Sequence, residues 1–242
     1  MNALASGTSR WLLAAAAAAA VAFAPSVPSL AVHTRALTTG PLDLARGDAD
    51  GVAVTSRGRL FPVPRFVSVA GKSLPGTPAQ VWSAAQGAAG DVYLGTGPEG
   101  RVIKLAASGA ASVLFAAPEP LVTAVAVAPD GDVLAATAPG GKIYRIAPSG
   151  KGSVWCETGE RYVWALAIGR DGTTFAGTGD QGVLLKIDRA GKAEPLFDSD
   201  ESHIVSIALL PDGGIVAGGA GRGRVVRLDA EGHARILHED DL

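Results

Sequence analysis

The sequence predicts an all-β chain of four-stranded blades, a β-propeller, and three observations carry that expectation. Residues 81–242 repeat with a 41-residue period, and Val81, Val122, Val163 and Ile204 open four copies without an insertion. Glycines recur at fixed phases: Gly90, Gly131, Gly172 and Gly213, then Gly100, Gly141, Gly182 and Gly223, then Gly109, Gly150, Gly191 and Gly232. The segments between them are short, apolar and alternating, which is the texture of strands. Four full copies and a partial one make either a small closed ring or an incomplete one.

Composition narrows the field. The 242 residues carry a formal net charge of −2, with 48% hydrophobic and 18% charged residues. That supplies a buried core, and a near-neutral balance without basic clusters leaves no electrostatic footprint for nucleic acid. Cys156 is the sole cysteine, so the chain forms no internal disulfide; its apolar setting, Val154-Trp155-Cys156, predicts a buried thiol.

The N-terminus reads as an export signal. Arg10 precedes an apolar run from Trp11 to Ala24, followed by Pro25, Pro28 and the small-residue site Ser29-Leu30-Ala31. A positive start, a short apolar stretch and a small-x-small site define a secretory signal peptide over residues 1–31. The expected location is periplasmic or secreted, with no stable membrane span once the signal is cleaved.

Residues 32–49 form an N-terminal extension. Residues 50–79 are a partial blade and linker: Val52-Ala53-Val54 and Arg59-Leu60-Phe61 flank a turn as a hairpin, and Phe66-Val67-Ser68-Val69 reads as a further strand. Within it, the segment Val52–Val69 is expected to pair with the last copy and close the ring. Four blades follow, over residues 80–120, 121–161, 162–202 and 203–242.

Each copy takes four strands. The first covers residues 81–86, 122–127, 163–168 and 204–209; the second begins at Val92, Val133, Thr174 and Ile215. Along the first strand one face is small: Ser83 and Ala85, Ala124 and Ala126, Ala165 and Ala167, Ser206 and Ala208. The other is bulky in three copies: Val125 and Val127, Leu166 and Ile168, Ile207 and Leu209. Side chains alternate across a strand, so each blade has a thin and a thick face that stack in turn. Ala84 and Gln86 make the first copy's thick face the poorer one. The third strand carries a recurring cation, Lys104, Arg145, Lys186 and Arg227, expected to lay its stem on apolar surface with its head in water.

Propellers gather two loop sets at one end of the blades. Those loops hold the candidate ligand residues Trp82, Thr96, Glu119, Glu160, Tyr162, Trp164, Thr178, Asp180, Glu201 and His203. Aromatic rings beside carboxylates suit a small-molecule or peptide pocket. The recurrence of Glu119, Glu160 and Glu201 at the repeat period favours a structural role, such as a hydrogen bond to a neighbouring loop. Trp82 and Trp164 suit blade packing as well as a ligand platform. No histidine pair has zinc-motif spacing and no nucleophile elbow is present. Gly95-Thr96-Gly97-Pro98-Glu99-Gly100 matches a dinucleotide fingerprint superficially, but a strand follows it and other copies hold cognates, so it is a turn.

The third copy, Val163-Trp164-Ala165-Leu166-Ala167-Ile168 with Asp171-Gly172, Gly177-Thr178-Gly179, Gly182, Lys186-Ile187 and Gly191-Lys192, resembles bacterial secreted propellers. NHL-repeat, WD-repeat-like and gluconolactonase- and streptogramin-lyase-like groups are the nearest in texture, over residues 50–242. The resemblance implies the fold and several incompatible functions: sensing, scaffolding, lactonase and lyase chemistry. The lactonase type implies asparagine among its metal ligands, whereas Asn2 is the only asparagine here. The lyase type implies paired histidines with a glutamate, whereas only His203 falls at the loop-rich end.

The expected function is therefore a secreted, non-enzymatic propeller without cofactor or metal. It would hold a peptide, glycan or protein partner at the loop-rich end, in a repeat that sets no copy apart. The alternative is a divergent hydrolase or lyase using Glu160, Glu201 and His203 around a metal. An open ring would also invite self-association through its terminal blades.

Overall fold

Each glycine turn reverses the chain onto an antiparallel neighbour, so every copy becomes one four-stranded sheet. The computed structural model describes residues 51–54, 59–62, 74–76, 78–229 and 232–239. The expected signal peptide, the extension over 32–49 and the strand at 66–69 lie outside the described residues. Two compact units divide the chain, Met1–Phe66 and Val67–Leu242. In the first, β1 (Val52–Val54) pairs antiparallel with β2 (Leu60–Pro62) as a two-stranded sheet.

The second unit holds the blades. Blade 1 is β3 (Gln80–Gln86), β4 (Val92–Gly97), β5 (Arg101–Leu105) and β6 (Ala111–Ala116). Blade 2 is β7 (Leu121–Val127), β8 (Val133–Ala138), β9 (Lys142–Ile146) and β10 (Gly152–Glu157). Blade 3 is β11 (Val163–Ile168), β12 (Thr174–Thr178), β13 (Val183–Ile187) and β14 (Ala193–Asp198). Blade 4 is β15 (His203–Leu209), β16 (Ile215–Ala220), β17 (Val225–Leu228) and β18 (Ala234–His238). No helix occurs among the described residues, and none of them forms a helix long and apolar enough to cross a membrane.

The blades stack in chain order, β3 against β7, β7 against β11 and β11 against β15. The first two junctions set a thick face on a thin one, Val125 and Val127 with Ala85 and Leu166 and Ile168 with Ala124, whereas at the third Ile207 and Leu209 pack with the bulky Phe175 and Leu184. Ile143, Leu184 and Ile187 are fully buried there, and Cys156 is buried beside them, which pushes its thiol pKa up. The outermost faces are open: Ala84 and Gln86 are exposed, as is β18 along its whole length. The third-strand cations stay at least partly exposed, as expected, and three of them also pair with acids, as described below.

One irregularity recurs at the start of every first strand. The pairing register slips between Val81 and Ser83, Val122 and Ala124, Val163 and Ala165, and Ile204 and Ser206. A bulge inserts one residue on one side of a ladder and re-aims its side chain. The residues re-aimed are Trp82, Thr123, Trp164 and Val205.

Candidate functional site

The two loop sets meet at one end of the blades through backbone hydrogen bonds. Ala117 N–H donates to Gly100 O at 2.8 Å, Gly140 N–H to Arg161 O at 2.9 Å and Gly179 N–H to Tyr162 O at 3.0 Å. Closeness at these contacts dictates residue type: a Cβ on Gly182, at φ +61°, would lie 2.0 Å from Glu201 O. This end is the mouth.

At the mouth two of the four bulge residues, Trp82 and Trp164, face the turn between the second and third strands, and each meets a glycine there. Trp82 lies over Gly97 and Trp164 over Gly179, whereas Thr123 and Val205 stand in copies that have Ala138 and Ala220 at that phase. A tryptophan fits only where the turn gives up its side chain. A Cβ on Gly179 would fall 2.4 Å from Trp164 Nε1 and 2.8 Å from His203 Nδ1. Thr123 instead turns inward, donating to Val163 O and, at 3.2 Å, to Ala136 O.

Around Trp164 the aromatic side chains form one cluster. Tyr162 stacks on it at 5.1 Å between centroids and 12° between planes, Trp82 lies tilted at 6.5 Å, and His203 meets it edge-on at 6.0 Å. The Arg161 guanidinium lies over the Tyr162 ring, 5.1 Å from its centre, a cation–π contact. His203 Nδ1 accepts from Trp164 Nε1 at 3.3 Å and from the Asp180 N–H at 3.2 Å. Two donors at Nδ1 place the ring proton on Nε2. Trp82 is 45% exposed, which leaves a broad ring surface open to a ligand.

The Asp180 N–H exists because this copy breaks the pattern. The same phase holds Pro98 and Pro139 in copies 1 and 2, and proline has no N–H to give. Asp180 adopts φ 71°, the left-handed region, where aspartate is one of the few tolerant residues. His203 likewise stands where copy 2 has Leu121. The expectation that no copy is set apart is thereby corrected: at the junction of blades 3 and 4 the His203 imidazole accepts from both an indole and a backbone N–H.

The remaining candidates divide. Thr96 and Thr178 are buried, and their hydroxyls donate to Arg101 O at 3.0 Å and Val183 O at 2.9 Å, so they clamp the turns rather than face solvent. Glu119 turns into the protein, accepting from Tyr144 Oη at 2.9 Å and pairing with Lys142 Nζ at 3.2 Å. Burial together with this bond and charge pushes the Tyr144 phenol up to about 12. Glu201, 5% exposed, accepts from the Arg222 and Arg224 N–H groups at 2.7 and 3.0 Å. It does for blade 4 what a threonine hydroxyl does elsewhere: Thr178 Oγ1 accepts from Val183 N–H at 3.0 Å, and Gly219 stands at the threonine's phase in the last copy.

Glu160 has neither refuge. Leu185 stands where Tyr144 offers its hydroxyl, and the Val183 N–H is already taken by Thr178. Among the described residues its carboxylate has no bonded partner. Burial, followed by the charges of Asp180 and Asp198, raises its pKa above the usual carboxylate value. The mouth thus gathers Trp82, Tyr162, Trp164, Asp180, Glu160 and His203, with Arg161 and Gly179 supporting them. Gly179 escaped the residue-by-residue view of the sequence, although its pairing with tryptophan at a fixed offset was visible across copies. Among the described residues no group of three or more histidine, cysteine, aspartate or glutamate side chains is placed to hold a metal ion.

Blades of this geometry and a loop-built mouth define the β-propeller class. Solved structures agree: virginiamycin B lyase from Staphylococcus aureus is similar at TM-score 0.61 and 17% identity, over 77% of this chain and 61% of that one. Streptogramin B lyase is similar at TM-score 0.60 and 16% identity, over 79% of this chain and 62% of that one. A chain of the nidogen/laminin complex is similar at TM-score 0.54 and 18% identity, over 62% of each. The chain therefore spans about three fifths of the length of both lyases. At these identities the likeness is one of fold, the β-propeller. No protein-family model and no curated protein matches the chain.

Proposed function

We propose that this is an exported, non-enzymatic binding propeller that holds a peptide, glycan or protein partner at its mouth. The observation that carries the proposal is the half-exposed Trp82 beside the stacked Trp164–Tyr162 pair. Large rigid rings give contact area at little entropic cost, and the neighbouring Asp180, Glu160 and His203 Nε2–H supply polar contacts that fix orientation. Export rests on the signal-like residues 1–31. The metal-dependent alternative needs Glu201 at the mouth, and that carboxylate is spent on two backbone N–H groups.

The test is a titration of peptide and glycan libraries followed by tryptophan fluorescence, with parallel turnover assays on lactones and esters. Saturable fluorescence change without turnover is the expected result. Turnover that His203→Ala abolishes would overturn the proposal.

A further inference from the structure

The repeat exposes a broken ion pair at the other end of the blades. Each copy carries a cation at the same phase of its third strand, Lys104, Arg145, Lys186 and Arg227. Lys104 Nζ lies 2.8 Å from Asp91, Arg145 bonds Asp132 at 2.7 Å as well as Asp130, and Arg227 bonds Asp212. These acids occupy two phases of the turn before the second strand. Asp91 and Asp132 stand at the near phase, Asp130 and Asp212 at the far one. Lysine meets the near acid, and the longer, forked arginine reaches the far one.

Copy 3 combines the wrong members of this set. Its cation is Lys186, and Thr173 stands at the near phase. The far acid, Asp171, is occupied by Thr173, whose N–H and hydroxyl lie 3.1 and 2.8 Å from its oxygens. Those two bonds hold its carboxyl below the usual range. Arg189 bonds only the backbone oxygen of Asp171, at 2.6 Å through Nε. Glu194, across the ladder from Lys186, is paired with Lys192 at 2.7 Å. Among the described residues Lys186 has no acid partner, and neither has Arg170 on the adjoining turn.

Both cations line a cavity of about 620 Å³ between blades 3 and 4, at the end opposite the mouth. Its wall is otherwise largely apolar, with Ile168, Phe175, Leu196, Leu209, Leu210 and Ile215. Two acids also line it: Asp171, whose carboxylate is held by Thr173, and Asp229, whose carboxylate is met by His233 Nδ1 at 3.0 Å. Small-ligand sites run to roughly 300–1,000 Å³, mostly apolar with a few placed polar groups. Two unpaired cations over such a wall complement one kind of occupant.

We propose that this cavity binds a small amphipathic carboxylate, its head between Lys186 and Arg170 and its aliphatic chain on Phe175, Leu196 and Leu209. The site is independent of the mouth. Isothermal titration with decanoate tests it, with decanol and decyltrimethylammonium as the neutral and cationic matches. Decanoate binds one per chain while the other two do not. Lys186→Gln and Thr173→Asp, the latter restoring the acid that Asp91 and Asp132 supply, each weaken it about tenfold, the scale of one charge-assisted hydrogen bond. His203→Ala at the mouth leaves the titration unchanged. Absence of decanoate binding, equal binding of decanol, or full affinity in both Lys186→Gln and folded Thr173→Asp protein would overturn the proposal.

Discussion

The Trp164 indole N–H donates to His203 Nδ1 across 3.3 Å, joining blade 3 to blade 4 at the mouth. The bond depends on Gly179, which leaves room for both rings, and is reinforced by the Asp180 N–H, which proline denies to the first two copies. A local break in the repeat has thus produced a side-chain network between two blades.

Gly179→Ala should disrupt that network. The added methyl must displace Trp164 and His203, at a cost of about 1–3 kcal/mol, the usual range for overpacking. Near-ultraviolet circular dichroism should lose tryptophan signal, and urea unfolding should show the lower midpoint. An unaltered spectrum would mean that the cluster is not held as described.

The recurring glutamates should separate on mutation. Glu201→Gln leaves one oxygen and one amide group facing two N–H donors, and should destabilise by about 1–3 kcal/mol. Glu160→Gln should instead raise Tm at pH 7. The raised pKa of Glu160 means that the folded state binds more protons than the unfolded one above the unfolded value, so wild-type stability falls as pH rises through that window. The advantage of the glutamine should therefore vanish once the pH drops below about 4, where both states are protonated. Melting at pH 4 and pH 7 checks both signs.

Tyr144 predicts the alkaline limb. Its folded pKa of about 12 exceeds the ordinary value of 10.0, so stability is complete below pH 10 and declines as the unfolded chain ionises between pH 10 and 12. Tyr144→Phe should show a shallower decline over that range. It should also cost about 0.5–1.5 kcal/mol at pH 7 for the lost bond to Glu119. Urea titrations at pH 8 and pH 11 measure both effects.

The junctions between blades should carry most of the stability. Ile143→Ala or Leu184→Ala, each truncating a fully buried side chain, should cost about 2–5 kcal/mol, against no more than about 0.5 for Ile236→Ala on the exposed β18. Denaturant midpoints at constant slope decide this.

The strand starts at Val92, Val133, Thr174 and Ile215 were legible because glycine turns and alternation act locally. Thick-on-thin stacking was legible too, since Leu166 and Ile168 against Ala124 follow from the period of two. The bulges were not, because a bulge adds one residue without disturbing the 41-residue phase. The fates of Glu119, Glu160 and Glu201 were hidden for another reason. Identical residues at identical phases meet Tyr144, Leu185 or the N–H groups beside Gly219, and the partner lies in the next copy. The mouth cluster was half visible: its tryptophans and His203 stood out, while the Asp180 N–H mattered only once its distance to His203 was known.

The most direct test compares wild type with Trp82→Ala and with Val154→Ala, an exposed change on β10, on peptide and glycan arrays. A binding mouth predicts that every ligand captured by wild type is lost by Trp82→Ala and kept by Val154→Ala, with both variants melting near wild type. Ligands retained by a folded Trp82→Ala protein would contradict it.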